Sequence, residues 1–175
     1  KVSALITKAS QHEAKEQWSQ ANEYFKQALV IDKSLVSAKV GDIRTNARAK
    51  LDSKLTSIIN QPKRLQSEQV YLETRQLLLQ AKKIPQPGVN LRDQITQLEQ
   101  QLVASRKPVN VTFSSDNSTF VTLKRVAKLG TFGEKNIELI PGEYTAIGTR
   151  QGYRDVVKQF SLSPKSNDTN IVILC

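Results

Sequence analysis

Apolar residues follow two different periods along the chain. Up to about residue 107 they recur every three or four residues, the spacing of one face of an α-helix. Beyond that point they alternate with polar residues, as at Val109 and Val111, which is typical of a half-buried strand. Pro108 would stop a preceding helix. We therefore predict an α+β chain built from two separate domains, a helical domain over 1–107 and a β domain over 108–175.

Five helices are predicted in the first domain. The clearest carries an apolar stripe at spacings of 4, 3 and 4, and Asn90 is its predicted N-cap. The other predicted ranges are about 2–16, 19–31, 35–60 and 65–83. Because the connections are short, we expect an antiparallel array. The stripe of the last helix consists of Leu91, Ile95, Leu98 and Leu102.

The predicted third and fourth helices each carry large apolar residues that we assign to a buried side. On the third helix the expected buried residues are Val40, Ile43, Ala47, Leu51, Leu55 and Ile58. On the fourth helix the wide apolar face includes Tyr71, Leu72, Leu78 and Leu79.

Two glycine turns organise the second domain. Pro141 presets its own φ near −65°, and Gly142 would accept the positive φ that a type II turn requires next. This predicts a hairpin at the turn, with Tyr144 on its second strand, and strain for any β-branched residue at position 142. Gly152 predicts the next reversal. We expect Tyr144 and Tyr153 to cover the ends of a small core, the alternative being contact with a ligand.

The positive charge of the chain is concentrated in its first part. Residues 1–107 hold 18 Lys and Arg against 10 Asp and Glu, a surplus of 8, whereas residues 108–175 hold 8 against 6. An acidic partner would be attracted to the first part. The candidate partner-binding residues lie one helical turn apart in two pairs, and the alternative is an ordinary solvated face. These residues are Arg44, Arg48, Lys50 and Lys54.

The residues needed for common catalytic and metal sites are scarce. The chain has one histidine, His12, and one cysteine, Cys175, which are too few for a zinc site of Cys and His. Gly41 and Gly88 stand alone, so no glycine-rich loop opens a helix to hold a phosphate. No local motif supports a serine nucleophile with His12 as base. We therefore expect no enzyme activity, no cofactor and no metal.

Residues 16–33, EQWSQANEYFKQALVIDK, resemble the second half of a tetratricopeptide repeat. Small residues at fixed positions would let a neighbouring helix approach, while large aromatic residues would fill the gaps. Lys33 replaces the proline that usually ends the repeat, and 35–60 lacks the turn of a second repeat. An unrelated array of helical hairpins is the alternative. The matching residues are Trp18, Ala21, Phe25, Ala28 and Leu29.

Residues 108–175 resemble the PEGA domain, a small antiparallel β-sandwich. The motif Pro-Gly-x-Tyr is present at Pro141 to Tyr144, and a late Gly-Tyr pair at Gly152 and Tyr153. The sequence that gives the family its name is absent, because Asn117 stands where a proline is usual. The segment 124–135 is also a long, basic loop for this family.

These resemblances imply a non-catalytic interaction or scaffolding module of a bacterial cell-envelope protein. The expected partner is a protein with an acidic surface, held by the helical domain. The alternatives are an acidic polymer, with cell-wall glycan ahead of nucleic acid, or the regulatory C-terminal part of a membrane-anchored enzyme such as a kinase.

The chain begins at Lys1 and contains no methionine. We expect a processed chain or a piece of a longer one. Its place would be the periplasm, with membrane attachment only through an anchor outside these residues.

Overall fold

The computed structural model of the protein describes residues 1–166 and 169–175. The helices are α1 (Val2–Ala14), α2 (Trp18–Ile31), α3 (Val36–Ile59), α4 (Glu68–Lys82) and α5 (Val89–Arg106), with a 3₁₀ turn at Pro62–Gln66 before α4. The strands are β1 (Val109–Ser114), β2 (Phe120–Leu123), β3 (Ala127–Gly130), β4 (Glu134–Leu139), β5 (Gly142–Thr149), β6 (Val156–Leu162) and β7 (Thr169–Val172). The predicted order, helices followed by strands, is confirmed.

The described chain forms two compact units. One contains residues 1–62 and 72–99, and the other contains residues 63–71 and 100–175. The N-terminal end of α4 and the C-terminal end of α5 therefore belong to the second unit. The division into domains at residue 107 stays a prediction.

Small residues hold the first three helices of the first unit together. Ala9 of α1, Ala28 of α2 and Ala38 of α3 are fully buried around the ring of Phe25. An alanine surface lets two helix backbones approach closely, and the aromatic ring then fills the space between them. This is the packing that the sequence predicts for Ala28 and Phe25, and it is confirmed.

The predicted buried side of α3 is wrong over its first half. Val40 and Ile43 are exposed, as is Ala47, whereas Ala38, Gly41 and Thr45 are buried. The helix therefore packs through its small residues and turns its larger apolar residues outward. Further along, Leu55 is buried as predicted, and Leu51 and Ile58 are half-buried.

The apolar face of α4 is narrower than predicted. Leu78 is buried, but Leu72 and Leu79 are exposed. On α5, by contrast, three of the four residues of the predicted stripe are buried, Leu91, Leu98 and Leu102, and Ile95 is half-buried.

The second unit contains two sheets around one apolar core. The three-stranded sheet has the order β4-β1-β7, with β1 antiparallel to β4 and parallel to β7; the four-stranded sheet has the order β3-β2-β5-β6 and is antiparallel throughout. Side chains of both sheets enter the core because alternate positions of each strand point inward. The buried members are Val109, Val111, Phe113, Val121, Leu123, Leu129, Leu139, Ala146, Leu162, Ile171 and Ile173.

The segment at Pro141 is not a hairpin. It joins β4 of the three-stranded sheet to β5 of the four-stranded sheet, so the chain changes sheets there. Gly142 does not have a positive φ, and the predicted type II turn is wrong. The Tyr144 hydroxyl donates a hydrogen bond to the Ile140 carbonyl at 2.7 Å, and its ring stacks on Phe160 with centroids 5.6 Å apart. Tyr144 therefore fixes this crossing.

Gly152 does occupy a left-handed turn. Its φ is 84°, and it connects β5 to β6, which pair antiparallel. The predicted reversal is confirmed. The segment 124–135 is not a single loop, because it contains β3 and the start of β4.

Gly142, where the chain changes sheets, and Gly152, in the turn between β5 and β6, form a matched pair for a stability test. Gly152→Ala should lower the free energy of unfolding by about 1–2 kcal/mol, since a Cβ at positive φ approaches the following carbonyl oxygen. Gly142→Ala should change it by less than about 0.5 kcal/mol, because the nearest atom to a Cβ there is a Tyr144 ring carbon at ordinary contact distance, 3.6 Å. Chemical denaturation of both variants measures this. Equal losses would contradict the assigned backbone at position 152.

Candidate functional site

Besides the alanine packing, helix α3 contacts α2 at Gly41 and through a polar network around Asn22. A Cβ on Gly41 would overlap the ring of Phe25, so only glycine lets the ring lie against the helix backbone. Next to it, the Asn22 amide nitrogen lies 2.7 Å from the Asp42 carboxylate and 3.0 Å from the Thr45 hydroxyl. The hydrogen bond to Thr45 is buried and the one to Asp42 is partly buried, and both have ordinary hydrogen-bond lengths. Together they determine which face of α3 points outward.

The outward face of α3 carries a continuous stripe of apolar side chains. Val36 is 70% exposed, Val40 is 52% exposed and Ile43 is 71% exposed, and Ala47 follows them. Their spacings are 4, 3 and 4, which is the heptad spacing of a helix that packs along another helix. Such a stripe usually faces the core of a domain, and here it faces solvent.

Two lysines continue the same stripe. Lys50 and Lys54 follow Ala47 at spacings of 3 and 4 and are exposed, and neither makes an ion pair within the described part of the chain. The outward face of α3 is thus apolar in its first half and cationic in its second. We call the six residues Val36, Val40, Ile43, Ala47, Lys50 and Lys54 the α3 seam.

The two candidate arginines lie beside the seam and have intramolecular partners. Arg44 donates two hydrogen bonds to the carboxylate of Glu13, at 2.8 and 2.9 Å, and this pairing raises the pKa of Arg44. The Arg48 guanidinium lies over the ring of Trp18, 4.3 Å from its centroid, and 3.9 Å from the Glu16 carboxylate. Burial lowers the pKa of Arg48, while Glu16 and Asp52 act in the opposite direction.

The structure therefore does not bring the four candidate cations together on one free surface. Reversing the charge of either arginine would place two carboxylates side by side and would cost stability. Lys50 and Lys54 are the pair that a partner could reach without breaking a contact inside the unit.

Glu16 has a role that nothing in the sequence around it predicts. Its carboxylate accepts hydrogen bonds from the backbone N–H groups of Asn90, at 2.7 Å, and Leu91, at 3.3 Å. These groups belong to the first turn of α5, where N–H groups have no partner within the helix and a negative charge is favoured. The cap of α5 therefore comes from Glu16, and the predicted N-cap at Asn90 is wrong.

The cap depends on an unusual backbone conformation at Glu16 and on the absence of a side chain at Gly88. Glu16 has a φ of 55°, a conformation that costs a non-glycine residue about 1–2 kcal/mol. A Cβ on Gly88 would overlap the Glu16 carboxylate. Gly88, which stands alone in the sequence, is thus explained by the approach of a side chain 72 positions away in the numbering.

His12 and the other side chains that could take part in catalysis or metal binding are held by contacts within the fold. The His12 ring nitrogen Nδ1 lies 2.6 Å from the Gln17 side-chain oxygen, and the ring stacks on Tyr24. Within residues 1–166 and 169–175, no three His, Cys, Asp or Glu side chains are grouped so that they could hold a metal ion. None of the helices in these ranges is both long and apolar enough to cross a membrane.

The tyrosines of the second unit differ in their contacts. Tyr144 is tied to the crossing at Pro141, whereas Tyr153 is exposed and lies under the Arg150 guanidinium, 4.4 Å from its ring centroid. Arg150 also pairs with Asp116 at 3.2 Å. Asp116 accepts hydrogen bonds from two backbone N–H groups, which lower its pKa together with Arg150. Tyr153 therefore covers a polar link between two turns.

No protein-family model matches the sequence, and no curated protein is significantly similar to it.

The overlap between Gly88 and Glu16 can be tested by a double-mutant cycle. Gly88→Ala should lower the free energy of unfolding by about 0.5–2 kcal/mol in the native background, because the new methyl group displaces the Glu16 carboxylate from the end of α5. In a Glu16→Ala background the same change should cost less than about 0.5 kcal/mol. Denaturant unfolding of the native chain, the two single variants and the double variant gives the coupling energy between the two positions. Additive losses would mean that Glu16 does not cap α5.

Proposed function

We propose that this chain is a non-catalytic interaction module that holds a protein partner on the α3 seam. The observation that carries the proposal is the exposure of Val36, Val40 and Ile43 on one stripe of a helix whose opposite face is tightly packed. Large apolar residues scattered singly on a surface need no explanation, but a contiguous exposed stripe is typical of a binding surface. The seam lies entirely within the first unit, on a helix of 24 residues.

The resemblances found in the sequence agree with this role. Helices α1 and α2 share a buried cluster that contains Ala9, Phe25 and Ala28, which supports a tetratricopeptide-like array. Two sheets around one core support the proposal of a PEGA-like β-sandwich, although the parallel pairing of β1 with β7 differs from the antiparallel sandwich expected from the sequence. We propose that the chain combines these two modules in a bacterial cell-envelope protein, with its place in the periplasm and any membrane anchor outside these residues.

Binding of an acidic polymer is the second candidate. It is favoured by three exposed cations of the second unit, Lys124 and Arg125 on the β2–β3 turn and Lys128 on β3. An acidic glycan or nucleic acid would be held through charge alone and would be released by salt in proportion to the number of contacts. The apolar half of the α3 seam would have no part in it. The same test therefore separates the two candidates.

The test replaces apolar seam residues by aspartate. A photo-crosslinking amino acid at Ile43 first identifies the partner in the host cell, by mass spectrometry of the crosslinked product. Val40→Asp with Ile43→Asp should then weaken binding of that purified partner by at least about tenfold, because a buried apolar contact is replaced by a desolvated charge. The free energy of unfolding should change by less than about 0.5 kcal/mol, since both side chains are exposed.

Val103→Asp is the matched control. Val103 lies on α5 and is 72% exposed, close to the exposure of Ile43, and its replacement should leave partner binding unchanged. If the double variant binds the partner as tightly as the native chain, the seam is not the binding surface. If binding is instead lost on replacing Lys124, Arg125 and Lys128, the acidic-polymer candidate is favoured.

A further inference from the structure

We infer that the α3 seam binds one α-helix of its partner, in which heptad-spaced apolar residues are continued by acidic residues. This inference rests on the proposed function and specifies the chemistry of the partner. It follows from the spacing of the seam, from the change from apolar to cationic residues along it, and from the poor fit of a second copy of this chain.

The spacing of the seam selects a helix as the occupant. From Val36 to Lys54 the intervals are 4, 3, 4, 3 and 4, so the six side chains remain on one line along α3. A second helix that crosses at a small angle meets such a line over its whole length, because its own side chains at the same spacing fit between them. An extended strand repeats every two residues and would match the seam at isolated points only.

The charge of the seam selects the sequence of that helix. Its first four positions, Val36, Val40, Ile43 and Ala47, would be covered by apolar side chains. Lys50 and Lys54 would then lie against the next positions of the partner, partly removed from water. A cation in that environment is stabilised by an opposite charge and destabilised by an apolar or like-charged neighbour. The partner helix should therefore carry Asp or Glu at the positions that meet Lys50 and Lys54.

A second copy of this chain fits the seam poorly. In a parallel pair, Lys50 would face Lys50 and Lys54 would face Lys54 of the other copy. In an antiparallel pair over the full seam, Val36 and Val40 would face Lys54 and Lys50. An antiparallel pair limited to the apolar half would bring Lys50 to the positive N-terminal end of the other α3, close to Lys33. Each arrangement is electrostatically unfavourable, so the seam favours a different chain.

Synthetic helical peptides of about three heptads test the inference directly. Each peptide has leucine at the apolar heptad positions and glutamate at the adjoining positions, placed at its N-terminal end in one peptide and at its C-terminal end in another. Control peptides replace glutamate by lysine, or leucine by serine. Binding of each fluorescent peptide to the full chain is followed by anisotropy at low and high salt.

At least one acidic peptide should bind, and both kinds of control peptide should bind at least about tenfold more weakly. Lys50→Glu with Lys54→Glu should weaken binding of the acidic peptide at least about fivefold and should strengthen binding of the lysine peptide. A general loss of structure could not produce these opposite changes. Sedimentation of the native chain should show no self-association that depends on Ile43. Binding that does not respond to the charge swap, or a dimer that is lost with Ile43→Asp, would overturn the inference.

Failure of this inference can be told apart from failure of the proposed function. If the crosslinker at Ile43 captures a protein that the acidic peptides do not displace, the seam binds proteins but its occupant is not the acidic helix inferred here. If the peptides bind with the expected charge dependence while no partner is captured, the chemistry of the seam stands and the proposed function fails.

Discussion

The contact between the Phe25 ring and the backbone of Gly41 determines the arrangement of the first unit. Because a side chain at position 41 would overlap the ring, the observed rotation of α3 against α2 requires glycine there. The hydrogen bonds of Asn22 to Asp42 and Thr45 stabilise that rotation. In this rotation the small residues of α3 are buried, and its valines and isoleucine point away from α2. The exposed seam is thus a consequence of how the helix is packed on its other side.

The α-helices and strands could be predicted from the sequence because their periods are local properties. The boundaries of α2 and α3 and the alternation in β1 follow from residues within each element. The buried face of α3 could not be predicted in this way. Its two faces carry either large apolar residues or small ones, and hydrophobic periodicity favours the large ones. The small face is buried because Phe25 supplies the volume, which is information carried by another helix.

Long-range contacts explain the other wrong predictions. The cap of α5 comes from Glu16, which is 74 positions from Asn90, and nothing near Asn90 indicates it. The segment at Pro141 has the sequence of a tight turn, yet it joins two sheets. Whether such a segment closes a hairpin or crosses between sheets depends on where β1 and β2 pair. The reversal at Gly152, by contrast, depends on the φ of that residue alone, and it could be predicted from the sequence.

Candidate binding residues were predicted by charge, and charge alone does not distinguish an internal ion pair from a free cation. Arg44 and Lys50 are both basic residues of one helix, but only Arg44 has a carboxylate of α1 within hydrogen-bond distance. The apolar half of the seam gave no separate signal, since hydrophobic periodicity assigns Val40, Ile43 and Ala47 to the core. When a helix carries large apolar residues on one face and Ala, Gly and Thr on the opposite face, either face can therefore be the buried one.

The outward orientation of the seam is the central claim, and cysteine accessibility along α3 measures it most directly. The chain has a single cysteine, Cys175, so Cys175→Ser gives a background in which one cysteine at a time can be introduced. Thiol labelling under native conditions should be fast at positions 36, 40, 43, 47, 50 and 54 and slow at 38, 45 and 55. Slow labelling at 40 and 43 with fast labelling at 38 and 45 would mean that α3 packs through its large apolar residues, and would contradict the account.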